Sequence, residues 1–583
     1  MVLASCKSGR RVSAALLALV LFPFPGPASG APVPAPDLII YDAKIVTVDG
    51  RFSVARAAAV KDGRFTAVGS DAAVLKTAGP RTVKVDLHGR TVLPGFNDSH
   101  VHLVRGGDYE LQVDLADARS IADIQTAVAA RVRTAKPGEF LFGSRGWWDY
   151  ELSEKRRPNR YDLDKVSPGN PVVIPGYRYV VANSLALKAA GVTQDAKSPA
   201  GGEIVKDGAG EPTGVLLDDA ARLVMKFQPR PTMEQQIAGV RRLQARANAN
   251  GITSIGDPGE TAADAQVYRR LYEAGQLSLR VDFGYNVDPT QPLDQAEAVI
   301  KALGSPGQTW GDGMFRSDEI GEVGVDGNEM TAMLRQDYPD RPGYRGVQRI
   351  PTEQLKQFAA LANRYGWRLR PHVVGDAAID QVLDAYEYAD AQKSIVGRRW
   401  MLEHALLLGP DHYPRVRALG LVVNSQYMQA AQLGQAHLVA WKRPLADRIE
   451  RYRDWLAAGV MFANGSDGAP ISNRPDPLYE IYGVVTRGTL WGGKLGPDQG
   501  ISREQAIRSV TINGAYTSFE EKVKGSIEPG KYADFVVLSQ DLLAVPADRI
   551  KDIRVLATVL GGRTVYGALD RPAVRARAGR PAS

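Results

Sequence analysis

The chain has 583 residues, 44% of them hydrophobic and 23% charged. That length suits one large catalytic domain with a smaller companion, and the composition excludes disorder over most of it. The formal charge of +7 would suit a nucleic-acid partner, but three positives sit at Lys7, Arg10 and Arg11 and four at Arg571, Arg575, Arg577 and Arg580; residues 31–570 carry no net charge, so no broad basic surface is expected.

In chain order, Lys7, Arg10 and Arg11 precede an apolar run over residues 14–24 and the small-residue pattern Ala28-Ser29-Gly30. Residues 1–30 read as a cleavable signal peptide, with a mature start near Ala31, a periplasmic or secreted location and no membrane association after cleavage. The run is shorter than the roughly 20 residues of a membrane span. The single cysteine, Cys6, lies before that point, so no disulfide is expected.

Three β-patterned runs follow at 38–48, 57–68 and 82–93, and two more at 525–538 and 555–566. Chain ends often lie together, so residues 31–90 and 521–570 are expected to form one accessory β domain, a small β-sandwich. Between them, apolar runs at 91–96, 252–256, 279–285, 320–325, 367–373, 400–404, 421–425 and 460–464 alternate with helical stretches. Eight such alternations predict an α/β fold, a (β/α)8 TIM barrel over 91–520, with a doubly wound open sheet as the alternative. Residues 106–230 are too long for one βα connection and are expected to form an inserted substrate-side subdomain. Residues 571–583 read as a basic, disordered tail.

His100 and His102 form an H-x-H pair at the end of the first barrel run. Alternate strand residues face the same side, so the pair presents two imidazoles at metal-ligand spacing. His372, His404 and Asp467 end the fifth, sixth and eighth runs, which places all five residues at the barrel rim where chemistry occurs.

The residues 93–102 (Leu-Pro-Gly-Phe-Asn-Asp-Ser-His-Val-His), Asn183-Ser184, His372-Val373-Val374-Gly375-Asp376, Glu403-His404-Ala405, Gly465-Ser466-Asp467, Thr511-Ile512-Asn513-Gly514-Ala515 and the stretch 525–534 closely resemble the amidohydrolase superfamily, in its YtcJ-like branch of metal-dependent TIM-barrel hydrolases. The resemblance runs from about Leu38 to Gly567. It implies that His100, His102 and Asp467 hold one metal and that His372 and His404 hold a second. Many relatives bridge the metals with a carboxylated lysine; the equivalent position here is Glu322, expected to bridge them directly, the alternative being one metal with Glu322 outside its ligand set. Many relatives also carry a Gly-His pair where this chain has Tyr177-Arg178, and Arg178 is expected to grip a substrate carboxylate or carbonyl.

A bound divalent ion lowers the pKa of water from 15.7 to roughly 7. Histidine and carboxylate donors suit Zn2+, with Mn2+ or Fe2+ as alternatives. Asp467 is then the expected proton shuttle, and Asp376 and Glu403 the groups that orient the ligand histidines. Trp147 and Tyr427, with Trp148 and Met428, are candidates to line the substrate pocket, and His437 could face the site. His88 and His412 fall outside any motif. The expected reaction is hydrolysis of a carbon–nitrogen bond, a non-peptide amide or N-acyl group of a small molecule. A cyclic amide or ester, and a non-catalytic metal-binding regulatory protein, are the alternatives. Self-association is left open.

Overall fold

The computed structural model of the protein describes residues 34–569 apart from 108–111, 116–117, 145, 150–151, 177–178, 200–201, 469–475 and 491. The expected signal segment, the basic tail and Arg178 lie outside the described residues.

Eight parallel strands form the barrel: Phe96–Asp98, Ile252–Glu260, Arg280–Tyr285, Phe315–Gly324, Arg368–Val373, Met401–His404, Val422–Ser425 and Met461–Asn464. Each pairs with the next in chain order. The helices between them bury one stripe each. In Thr352–Arg364, for example, Leu355, Phe358, Ala359 and Ala362 fall at i, i+3, i+4 and i+7 and are all buried.

The eighth and first strands meet just beyond their ends. Asp467 donates its backbone N–H to His100 O at 2.8 Å, and His102 donates to Gly468 O at 3.1 Å. Asp98 clamps the same seam by accepting from Ser466 N at 2.8 Å and Ser466 Oγ at 2.6 Å. Gly465 permits this approach, because a Cβ there would stand 2.4 Å from His100 N. This closure makes the sheet a barrel rather than an open doubly wound sheet.

The barrel interior is partly ionic. Arg368 and Arg370, two apart on the fifth strand, point to the same side and are buried. Arg370 pairs with Glu319 and with Glu403, each at 2.7 Å; Arg368 pairs with Asp318 at 2.7 Å and with Glu319. Charges leave water at low cost only when paired in this way.

Residues from the two ends of the described chain form two further sheets. One contains Leu38–Tyr41, Ala57–Lys61, Arg64–Gly69 and Val83–Asp86; the other joins Lys44–Val46, Val54–Ala55 and Thr91–Pro94 to Phe535–Leu538, Val555–Leu560 and Arg563–Gly567. A single apolar cluster with Ile40, Val60, Val92, Phe535 and Val559 contains residues of both. This arrangement corrects the expected first barrel strand. Residues 91–94 pair antiparallel with Phe535–Leu538, and the barrel begins only at Phe96. Between them Gly95 lies so close to the second strand that a Cβ would meet Thr253 Oγ1 at 2.2 Å.

After the first strand, the inserted segment forms a five-stranded sheet of Leu141–Phe142, Val172–Pro175, Tyr179–Ala182, Gly202–Lys206 and Pro212–Asp218. Its Asn183 is buried and caps the helix Ser184–Ala190, accepting from Ala186 N and Val172 N, each at 2.9 Å, while its amide donates to Asn170 O at 2.8 Å. The Asn-Ser motif therefore secures the insert's own architecture.

Candidate metal centre

The strand ends deliver His100 and His102 from the first strand, Glu322 from the fourth, His372 from the fifth, His404 from the sixth and Asp467 from the loop after the eighth. Glu322 stands at the middle. Its Oε1 lies 2.9 Å from His372 Nδ1 and 2.8 Å from His404 Nε2, and its Oε2 lies 3.3 Å from His102 Nε2 and 3.7 Å from His100 Nε2. Asp467 Oδ1 lies 3.6 Å from both His100 Nε2 and His102 Nε2. Two groups of donor atoms are thus close enough to share an ion: His100, His102 and Asp467, and His100, Glu322 and His404. His404 and Asp467 adopt φ of +64° and +49°, values that residues with a Cβ rarely hold without support from their surroundings.

His100 Nε2 tests whether these residues fit a metal. It is fully buried, has no hydrogen-bond partner, and faces the Glu322 and Asp467 carboxylates. A buried polar atom without a partner is costly. A cation between the ring and the carboxylates removes that cost and neutralises the carboxylates, so the donor set fits a divalent ion.

The other ring nitrogens are held from behind. Glu403 Oε2 bonds His100 Nδ1, Pro258 O lies 3.1 Å from His102 Nδ1, and Gln426 Oε1 lies 2.6 Å from His404 Nδ1. Such contacts fix the tautomer that leaves the inward nitrogen free for metal. Burial works to raise the Glu403 carboxyl, yet the Arg370 guanidinium and His100 hold it down at about 2. Burial opposes charge on His102 and His404, but Glu260 and Glu322 raise His102 to about 10, and Glu322 raises His404 to about 9. Against its own burial, His100 first, and then His102, His372 and His404, hold Glu322 well below the usual carboxylate range. Without a cation, the carboxylates keep protons on these rings; an ion that takes a ring nitrogen displaces them.

The centre opens into a cavity of about 520 Å3, within the range of small-molecule sites. Trp147, Trp148, Pro175 and Gly176 of the insert wall it, with Arg105, Gly324, Asn328, Arg349, Gln429 and Leu433 from the barrel loops.

Residues 84–566 match the Amidohydrolase family. The chain belongs to the amidohydrolase family. It is therefore a metal-dependent hydrolase of carbon–nitrogen bonds, as the YtcJ-like resemblance implies. It is 29% identical over 543 residues to the N-substituted formamide deformylase of Arthrobacter pascens, a match that covers 91% of this chain and 98% of that one. It is also 29% identical over 527 residues to the putative amidohydrolase YtcJ of Bacillus subtilis, covering 87% and 95%. An uncharacterised metal-dependent hydrolase from Pyrococcus horikoshii superposes with a TM-score of 0.69 at 22% identity, over 88% of this chain and 99% of that one, and shows the shared fold.

Several residues singled out from the sequence of this amidohydrolase take other places. Tyr427 is fully buried and outside the cavity wall, packed against Gly483 and beneath the Arg487 guanidinium. It opens the helix Tyr427–Gln432, and that placement turns its ring into the core. Asp376 touches no ligand histidine. It begins the helix Asp376–Gln392, accepts from Arg335 N at 2.9 Å, and faces Arg448. The residue that braces the His372 strand end is Asp326, which accepts from Val374 N at 3.0 Å and Gly375 N at 2.9 Å. His437 is buried beside Trp441 with neither ring nitrogen bonded, and does not line the cavity. His88 is exposed, and His412 is buried against Arg335 and Asp380. Trp147 and Trp148 do line it.

Sequence reasoning missed Gln426, Pro258, Arg370 and Asp326. Of these, Gln426 carried a signal, since polar Asn424 and Ser425 end the seventh strand just before it, and Asp326 carried one in the Asp326-Gly327 pair that marks the position of Glu322.

Proposed function

We propose that the protein hydrolyses non-peptide amides or N-acyl groups of small molecules at a two-metal centre. His100, His102 and Asp467 would hold one ion, His372 and His404 the other, and Glu322 would bridge them. The observation that carries the reading is Glu322, with one oxygen toward His372 and His404 and the other toward His102 and His100. Zn2+ is the ion that this donor set suits best. When bound, it supplies acidified water and polarises the scissile carbonyl.

The chain's own residues do the rest. Asp467 borders the cavity and accepts the proton of the attacking water, then returns it to the departing nitrogen. Glu403 and Gln426 keep His100 and His404 in their metal-binding tautomers. Trp147 and Trp148 exclude bulk water from one side of the cavity. The sandwich reading of the end sheets rests on their shared apolar cluster.

Metal content and turnover of zinc-loaded protein test the reading together. Hydrolysis of a panel of amides should be lost on chelation and in His100→Ala. Asp467→Asn should retain metal while losing most turnover, about 100-fold or more. Glu322→Ala should hold one tight ion where wild type holds two. Full turnover in Asp467→Asn, or two tight ions in Glu322→Ala, would refute the assigned roles.

A further inference from the structure

Among the described residues of the cavity wall, charge is balanced with one exception. Its acids, Glu322 and Asp467, face the histidines. Of its two cations, Arg105 is committed: Nε lies 3.1 Å from Glu260, and Nη2 donates to Gly259 O. Arg349 is the exception. Among the described residues its guanidinium has no ion pair and no hydrogen bond, although it lines the same cavity as Glu322 and His372.

The Arg349 side chain is exposed to solvent at the cavity mouth, but its backbone is tethered. The backbone N–H of Arg349 donates to Val325 O at 3.0 Å, so the residue is tied to the end of the strand that carries Glu322. Its guanidinium lies over Gly324, where Nη1 would be 3.2 Å from an added Cβ. A side chain at 324 would press on it; glycine leaves it room two residues from the bridging carboxylate.

An unpaired guanidinium offers a planar fork that matches a carboxylate. The cavity wall also presents Trp147, Trp148, Pro175 and Leu433, an apolar surface. We infer that the substrate is an amide bearing both a carboxylate and an apolar group, as in an N-acylated amino acid, and that Arg349 binds the carboxylate and sets specificity. This rests on the hydrolase reading above and names its substrate class. Arg349 would be a binding residue that does not touch the reacting atoms.

The test compares racemic N-acetylphenylalanine with N-acetylphenethylamine, which lacks only the carboxylate, using zinc-loaded enzyme. Wild type should favour the acid by tenfold or more in kcat/KM. Arg349→Met should lose tenfold or more on the acid, mainly through KM, and stay within twofold on the amine; Arg349→Lys should recover part of the loss. No preference in wild type, or an equal loss on both compounds in Arg349→Met, would overturn the inference. If wild type cleaves neither, the N-acyl part of the proposed function loses its support, and calorimetric binding of phenylacetate decides the anion site alone. Binding weakened tenfold or more in Arg349→Met upholds it; unchanged binding overturns it.

Discussion

Replacing Glu403 with glutamine should weaken metal binding 10- to 100-fold without removing any ligand. Glu403 is fully buried and accepts three donors: His100 Nδ1–H, Arg370 Nε at 2.7 Å and Asn424 Nδ2 at 3.3 Å. Glutamine keeps the shape but owns one acceptor oxygen. If that oxygen stays with Arg370 and Asn424, the new NH2 faces His100 Nδ1, which must then accept; the ring proton moves to Nε2 and occupies the metal-facing lone pair. If the amide flips, its NH2 opposes the Arg370 N–H, and a buried donor goes unpaired at about 1–3 kcal/mol. Changes in groups that hold a ligand histidine cost 10–100-fold in affinity, about 1.4–2.8 kcal/mol. Competition with a chromogenic chelator measures the affinity, and thermal unfolding of the metal-free protein separates a folding defect from a ligand defect. A Kd within twofold of wild type in a folded variant would refute the tautomer argument.

Other expectations concern the surroundings of the centre. Gly465→Ala would drive a Cβ to 2.4 Å from His100 N, so the seam between first and eighth strands must part; a loss of about 1–3 kcal/mol in unfolding free energy, with reduced metal content, is expected. Tyr427→Phe removes a buried hydroxyl that has no partner, so stability should hold or rise by up to about 1 kcal/mol and KM should not move; a KM raised severalfold would return Tyr427 to the pocket. Burial pushes His437 down to about 3, so the folded state keeps it neutral while the unfolded chain protonates it near pH 6.5. Its contribution is complete above pH 6.5 and is lost as pH falls toward 3, reaching about 2 kcal/mol at pH 5. Denaturant unfolding of wild type and His437→Phe from pH 7 to 5 should show a shallower decline in the variant, and parallel declines would exclude the effect.

Much of the barrel was legible because strands such as Met401–His404, Val422–Ser425 and Met461–Asn464 are short apolar runs that end in polar residues, a pattern set by local sequence. Side-chain alternation announced the H-x-H pair, and strand-end placement announced His372, His404 and Asp467. The first strand was misread for a local reason as well: residues 91–94 and 96–98 both have β pattern, and only their partners distinguish them. Thr91–Pro94 finds Phe535–Leu538 more than 400 residues away, and the barrel takes the rest.

The sequence alone therefore determined which residue types stand at the strand ends, since side-chain direction along a strand repeats every two residues. Only the tertiary structure decided what lies behind and beside them. Glu403 reaches His100 across 303 residues, Ser99 meets Asn424 across 325, and Ser466 meets Asp98 across 368. Those distances in sequence collapse when the eighth strand returns to the first. The same closure, with the loops folded over it, sends Tyr427 into the core, gives the support of His372 to Asp326 rather than Asp376, and leaves Arg349 without a partner among the described residues of the cavity wall.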